Sequence, residues 1–108
     1  MTVLKLDYDG AKLPPVEMRA QALCAVLYVR VTLIHYARTR RGWHVVICLA
    51  RRISAPQIVA VQAIMGSDPM RELFNLARVR SLPRQHPCMR RDDNWNVLYS
   101  EHHRRIAF

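Results

Sequence analysis

The sequence has little lysine and glycine, and it has no long apolar run. Its longest apolar stretch, residues 22–34, is interrupted by Arg30 and is shorter than the roughly 20 residues that cross a bilayer. No basic segment followed by an apolar one opens the chain, so neither a secretory signal nor a membrane partner is predicted. The cysteines (Cys24, Cys48 and Cys88) form no CxxC pair and predict reduced thiols in a cytoplasmic protein.

Motifs of two large enzyme classes are also missing, because the sequence has no GxxxxGK[ST] phosphate loop and no triad nucleophile. What it has in excess is arginine. The chain carries 17 Lys+Arg against 8 Asp+Glu, a formal net charge of +9, and only Lys5 and Lys12 are lysines. Positive charge attracts polyanions, and the guanidinium fork suits phosphate, so nucleic acid is the first partner predicted. A GC-rich coding sequence would produce the same bias without any binding role.

The 108 residues, half of them apolar, predict one folded domain over residues 1–108. Alternating apolar residues predict strands over residues 2–9 and 43–49, and β-branched and aromatic content predicts another over 29–37. The basic turn 38–42 joins the last two as a hairpin. Helical spacing predicts helices over residues 15–28 and 54–65, the second with Ser54 as its N-cap. Residues 70–80 fit a helix or a strand, 81–94 a loop, 95–100 a short last strand, and 101–108 a basic tail.

This order of elements, βαββαβ, predicts an α+β protein with a ferredoxin-like antiparallel sheet and helices on one face. The other face of such a sheet is then open to a ligand. Because many functions use this fold, the topology by itself selects none of them.

Two aspartates flank Tyr8 at the end of the first predicted strand. Strand alternation places Asp7 and Asp9 on one face, about 6.5–7 Å apart along the chain. Two carboxylates with substrate phosphates are a sufficient ligand set for Mg²⁺ or Mn²⁺, the metals of phosphoryl and nucleotidyl transfer. The alternative is a pair of solvated turn residues, because Asp followed by Gly10 is ordinary turn chemistry.

The second candidate group is the basic hairpin, in which Arg38, Arg40 and Arg41 supply phosphate donors and Gly42 permits close backbone approach to a ligand. His44 follows on the next strand and can donate a hydrogen bond to a phosphate oxygen. Each feature alone also fits a solvated turn or a structural histidine. Counting strand faces from both ends predicts that Asp7, Asp9 and His44 share one open surface with these arginines at its rim.

The two motifs are Leu6-Asp7-Tyr8-Asp9-Gly10 and, after a helix, Arg41-Gly42-Trp43-His44-Val45. Over roughly residues 3–50 this pattern resembles the palm of the archaeo-eukaryotic primase and primase-polymerase superfamily. The resemblance implies a catalytic role for Asp7, Asp9 and His44. The acids would hold Mg²⁺ or Mn²⁺, while the histidine and the nearby arginines bind the phosphates of an incoming nucleoside triphosphate.

The resemblance also implies a third acid on a later element, where this chain has Asn75 after Phe74. Asp68 takes that place only if the chain folds back onto the first strand. Catalytic members of the superfamily are longer. Two alternatives therefore stay open: a protein partner completes the site, or the domain binds its ligand without catalysis. A compact domain of this kind would suit the replication module of a phage or a mobile element.

The remaining basic residues predict a non-specific nucleic-acid track made by Arg84, Arg90, Arg91, Arg104 and Arg105. His86, Cys88, His102 and His103 have no recognised zinc spacing, so zinc is not expected. The leading hypothesis is a minimal primase-polymerase-like domain that binds nucleotide and nucleic acid. The alternative is a non-catalytic basic ferredoxin-like module that binds nucleic acid or a protein.

Overall fold

The structure is a computed structural model, and it describes residues 1–10, 12–82 and 95–98. The elements follow in the order β1 (Thr2–Asp9), α1 (Val16–Leu27), β2 (Val31–Arg38), β3 (Gly42–Leu49), α2 (Ala55–Ile64) and α3 (Pro69–Ser81). The first three predicted strands and the first two predicted helices are confirmed. Residues 70–80, which fitted either a helix or a strand, belong to α3.

The strands form an antiparallel sheet in which β3 lies between β1 and β2. Because side chains alternate along each strand, one face carries a buried apolar set, which we call the core face. It consists of Leu4, Leu6, Tyr8, Val45, Ile47 and Leu49. The opposite face, called the second face, carries Lys5 and Asp7 from β1 and His44 and Val46 from β3.

Helices α1 and α2 cover the core face. Val16, Ala20 and Cys24 of α1 join the same buried cluster as Ile58 and Val61 of α2. Trp43 alternates with His44 and packs against this cluster, as the strand pattern predicted.

The start of α2 is fixed by its N-cap. The Ser54 hydroxyl oxygen accepts from the Gln57 backbone N–H at 3.3 Å, and the Gln57 side chain accepts from the Ser54 N–H at 2.9 Å. This reciprocal capping box satisfies backbone donors that the first helical turn leaves unpaired. The N-cap predicted at Ser54 is therefore confirmed.

The outer edge of β1 is covered by side chains and a loop. The Lys5 N–H donates to Gln62 Oε1 at 2.9 Å, and the Asp7 N–H donates to Ser67 Oγ at 3.0 Å. The Asp7 carbonyl oxygen accepts from the Asp68 N–H at 2.7 Å. A fourth strand beside β1 would need these same backbone groups, so the positions it would occupy are already taken.

The last strand predicted over residues 95–100 is not formed over 95–98, and the remaining two positions lie outside the described residues. Trp95–Leu98 are irregular and buried. In the part of the chain that the structure describes, the fold is α+β, with a three-stranded antiparallel sheet and three helices.

A buried polar network joins α2, α3 and residues 95–98. The Glu72 carboxylate accepts from Arg71 Nη1 at 2.6 Å, from Gln62 Nε2 at 2.8 Å and from Asn75 Nδ2 at 3.1 Å. Asn96 Oδ1 accepts from Arg71 Nη2 at 2.8 Å, and the Arg71 guanidinium also donates to the Lys5 carbonyl. The network satisfies polar groups that would be costly to bury alone.

The second face is not open along its whole width. His44 and Val46 on β3 are buried, so the prediction that the face opposite the helices is free for a ligand is wrong at the central strand. Leu33 and His35 on β2 are exposed. The second face is therefore most exposed on its β2 side, and Lys5 and Asp7 on β1 are half-buried.

Among the described residues, no helix combines the length and the apolar character that a bilayer span requires. Cys24 is buried in the core and Cys48 is half-buried, both as free thiols. Cys88 lies outside the described residues.

Candidate functional site

The structure brings Asp7 and His44 together. The two residues are direct partners in the β1–β3 ladder, and Asp7 Oδ1 lies 3.6 Å from His44 Nε2. The Asp7 side chain is 27% exposed and that of His44 is 8% exposed. The carboxylate is thus the accessible member of the pair, and the imidazole lies beneath the surface.

Burial changes the protonation of both groups. It raises the pKa of Asp7 above 3.8, although neighbouring His44 and Arg71 partly oppose the shift. The negative charges of Asp9 and Asp68 raise it further. Burial also lowers the pKa of His44 below 6.5, so a neutral imidazole is favoured.

Asp9 lies at the end of β1, exposed and opposite Gly42 in the ladder. The Gly10 N–H donates to the Arg41 carbonyl oxygen at 2.7 Å, which joins the aspartate motif directly to the basic hairpin. Gly10 has a φ of +105°, a conformation that favours glycine. Asp7 is therefore paired within the β1–β3 ladder, and Asp9 lies at the end of that ladder, where it is exposed.

The basic hairpin lies at the same end of the sheet. Arg38, Arg40 and Arg41 are exposed, and the Arg38 guanidinium lies 5.2 Å from the centre of the Trp43 ring. Stacking of this kind restrains one arginine and leaves its donors available. Asp9 and the hairpin thus lie at one rim of the sheet. Arg38 stacks on Trp43 and so lies toward the core face, opposite Asp7 and His44.

The structure explains why position 42 is a glycine, which the sequence did not indicate. A Cβ at this position would overlap the Tyr8 carbonyl oxygen and lie 2.9 Å from the Asp9 Cα. The glycine is therefore required for β1 and β3 to approach one another. Its predicted role in admitting a ligand is not needed to explain it.

Two further residues lie near Asp7. Asp68 folds back onto the edge of β1 through its backbone N–H, while its carboxylate caps α3 by accepting from the Met70 N–H at 3.2 Å. The Arg71 guanidinium donates to the Lys5 carbonyl of β1, and its positive charge lowers the pKa of both Asp7 and His44. The sequence predicted a role for Asp68 on the condition that the chain folds back onto the first strand, and its backbone does so. Arg71 was not predicted, because no local pattern marks it.

Asn75, the residue at the expected position of a third acid, is fully buried in the polar network. It donates to Glu72 and accepts from Arg78 Nη1 at 3.1 Å, so it faces away from solvent. Asp68, by contrast, is hydrogen-bonded to the Asp7 backbone through its own N–H. Within the described ranges, no group of three or more His, Cys, Asp or Glu side chains is placed to hold a metal ion.

Several predicted residues lie outside the described residues. These are the nucleic-acid track (Arg84, Arg90, Arg91, Arg104 and Arg105) and the zinc candidates (His86, Cys88, His102 and His103). Compared with known protein families, with curated proteins and with solved structures, this chain has no match.

Proposed function

We propose that this chain is a minimal primase-polymerase-like domain that binds a nucleotide or nucleic acid with a divalent metal, and that any chemistry it performs is nucleotidyl transfer in replication. The proposal includes a ferredoxin-like fold for this chain, similar to the palm domain of that superfamily. The observation that carries it is the ladder pair of Asp7 and His44, with Asp9 and the arginine hairpin at the same end of the sheet.

The electrostatics around Asp7 suit a cation. Its carboxylate is partly buried beside the charges of Asp9 and Asp68, and these raise its pKa. A divalent ion would offset that repulsion and favour the ionised form. Asp7 and Asp9 are the residues that would hold Mg²⁺ or Mn²⁺, with substrate phosphates and water supplying the other ligands. Such an ion polarises a phosphoryl oxygen and stabilises charge on the leaving group.

The arginines have a defined role in this proposal. In nucleotidyl transfer a hydroxyl oxygen bonds to the α-phosphorus, its proton passes to solvent, and the bond to the bridging oxygen breaks so that pyrophosphate leaves. Arg38, Arg40 and Arg41 would bind the triphosphate and stabilise the charge that develops on the pyrophosphate. His44, neutral and mostly buried, would donate to a phosphate oxygen from the floor of the site.

A second function is favoured by a different observation. No three-ligand group exists in the described part of the chain, and His44 is nearly covered. A non-catalytic basic module would use the arginine excess alone to bind nucleic acid, and Asp7 would then be a structural partner of His44. This alternative predicts binding that needs no metal and weakens steeply with salt.

The deciding experiment measures binding of a fluorescent nucleoside triphosphate with and without Mn²⁺. We expect Mn²⁺ to strengthen binding by at least about tenfold, and the double variant Asp7→Asn/Asp9→Asn to remove that gain. Glu17→Gln, an exposed carboxylate on α1, is the matched control and should retain it. Binding that ignores both the metal and the double variant, together with salt-sensitive oligonucleotide binding, would support the basic module instead.

A further inference from the structure

The two edges of the sheet differ. The edge of β1 is covered, whereas β2 is the other edge strand and is largely exposed. Strand alternation directs the backbone N–H and C=O groups of Ile34 and Tyr36 outward, away from β3. No hydrogen bond among the described residues uses those groups. β2 contains no proline or lysine, and its register irregularity lies at its beginning, between Val31 and Leu33. Residues 34–37 thus contain no proline, no Lys, Arg, Asp or Glu, and no register irregularity, which are devices that usually protect an edge.

A groove runs beside this edge on the core face. It has a volume of about 540 Å³ and lies between the start of α1 and β2. Its lining includes Pro14, Pro15, Glu17, Met18, Gln21 and Tyr36. Met18 and Tyr36 are both exposed apolar side chains. An added strand would direct alternate side chains into this groove, so an apolar residue is favoured at those positions.

The charges around β2 select the class of segment. Arg30 precedes the strand, Arg38 ends it, and both are exposed, as are Arg40 and Arg41 in the hairpin. Glu17 is the one acidic side chain that lines the groove. A second copy of the chain pairing antiparallel through β2 would bring Arg30 close to the partner's Arg38. Like charges would then meet at both ends of the added strand, which argues against self-pairing.

We propose that the outer edge of β2 binds an extended segment of an acidic protein partner by strand addition. The segment pairs its backbone with Ile34 and Tyr36, places apolar side chains in the groove, and sets carboxylates opposite Arg30 and Arg38. A nucleic acid strand has no backbone donors and acceptors with this repeat, so the ladder selects polypeptide. This interaction does not depend on nucleotide binding, although Arg38 belongs to both proposed sites. Arg30 belongs to this one alone.

The probe is a fluorescein-labelled peptide of about ten residues, with aspartates at both ends and alternating valine and threonine between them. We expect it to bind with a Kd of about 100 µM or tighter. A peptide with lysines at its ends should bind at least about tenfold more weakly. Bound probe should slow hydrogen exchange at the N–H groups of Ile34 and Tyr36, because those groups become hydrogen-bonded.

Charge-reversed variants give the matched test. Arg38→Glu should weaken binding of the probe by at least about tenfold, and Arg30→Glu provides a second variant that leaves the Trp43 contact intact. Arg80→Glu on the exposed side of α3 changes the net charge equally and should leave Kd within about twofold. Equal loss in all three variants would overturn the proposal, as would no binding, slowed exchange elsewhere than β2, or sedimentation showing that β2 pairs with a second copy.

Discussion

Removing one charge from the buried network tests whether that network holds α3 in place. Glu72→Gln keeps the shape of the side chain but replaces one carboxylate oxygen with an NH₂ group. The carboxylate accepts on one oxygen from Arg71 and on the other from Gln62 and Asn75. Whichever way the new amide turns, its NH₂ group faces a donor, and the Arg71 guanidinium loses its ionic partner.

The expected cost is large because both members of the pair are buried, with side chains 9% and 4% exposed. Removing one partner of a buried pair costs about 3–5 kcal/mol. Domains of this size have a free energy of unfolding of about 5–15 kcal/mol, so the variant should lose a substantial part of it. The double variant Arg71→Met/Glu72→Leu should lose at least about 2 kcal/mol less than the sum of the two single changes.

The assay is urea unfolding followed by tryptophan fluorescence, because Trp95 is fully buried beside this network. Arg80→Met is the matched control, since it removes an exposed arginine from the same helix and should change stability by less than about 0.5 kcal/mol. A loss below about 1 kcal/mol for Glu72→Gln would refute the reasoning. It would mean that water reaches the network and solvates the unpaired guanidinium.

The remaining predictions concern β1 and its neighbour. Gly42→Ala should destabilise the protein by about 3 kcal/mol or more in the same unfolding assay, because the new Cβ would overlap backbone atoms of Tyr8 and Asp9, which cannot move aside as a side chain can. Gly10→Ala should cost only about 1–2 kcal/mol of left-handed backbone strain, because nothing lies within 4 Å of the new Cβ. Equal losses in the two variants would contradict this reasoning. Asp7→Asn should raise the free energy of unfolding at pH 7, because burial raises the pKa of Asp7 and the folded state therefore loses stability as the pH rises from 3.8 through the folded-state pKa. That gain should vanish below about pH 4, and a variant less stable than the parent at pH 7 would show that the attraction of His44 and Arg71 for the Asp7 carboxylate outweighs burial.

The sequence predicted β1, the β2–β3 hairpin and a sheet face shared by Asp7 and His44, because alternation within each strand is local information. Period-two alternation fixes which face a residue occupies, and a short hairpin loop fixes the register. Alternation placed Asp7 and His44 on one face once the βαββαβ order set β1 beside β3, a pairing that no hairpin loop fixes. The burial of His44 was missed because it depends on what covers the second face, which alternation in the strand does not encode.

The sequence did not decide between a helix and a strand for residues 70–80, because α3 buries polar side chains and exposes apolar ones. It buries Glu72 and Asn75 and exposes Met70, Leu73 and Phe74, so apolar periodicity points to the wrong face. The missing fourth strand has a similar cause. Residues 95–98 have the composition of a strand, but the backbone of β1 is already bonded to Gln62 and Ser67, which are distant in sequence.

The closed flank at β1 limits how this molecule can assemble. A fibril that grows by strand pairing between subunits requires two unpaired sheet edges on every subunit, one for each neighbour. Here Gln62, Ser67 and Asp68 consume one edge within the subunit itself. Association through the sheet that the structure describes must therefore stop after a single addition, which limits the product to a finite complex and excludes an open-ended filament built on this sheet.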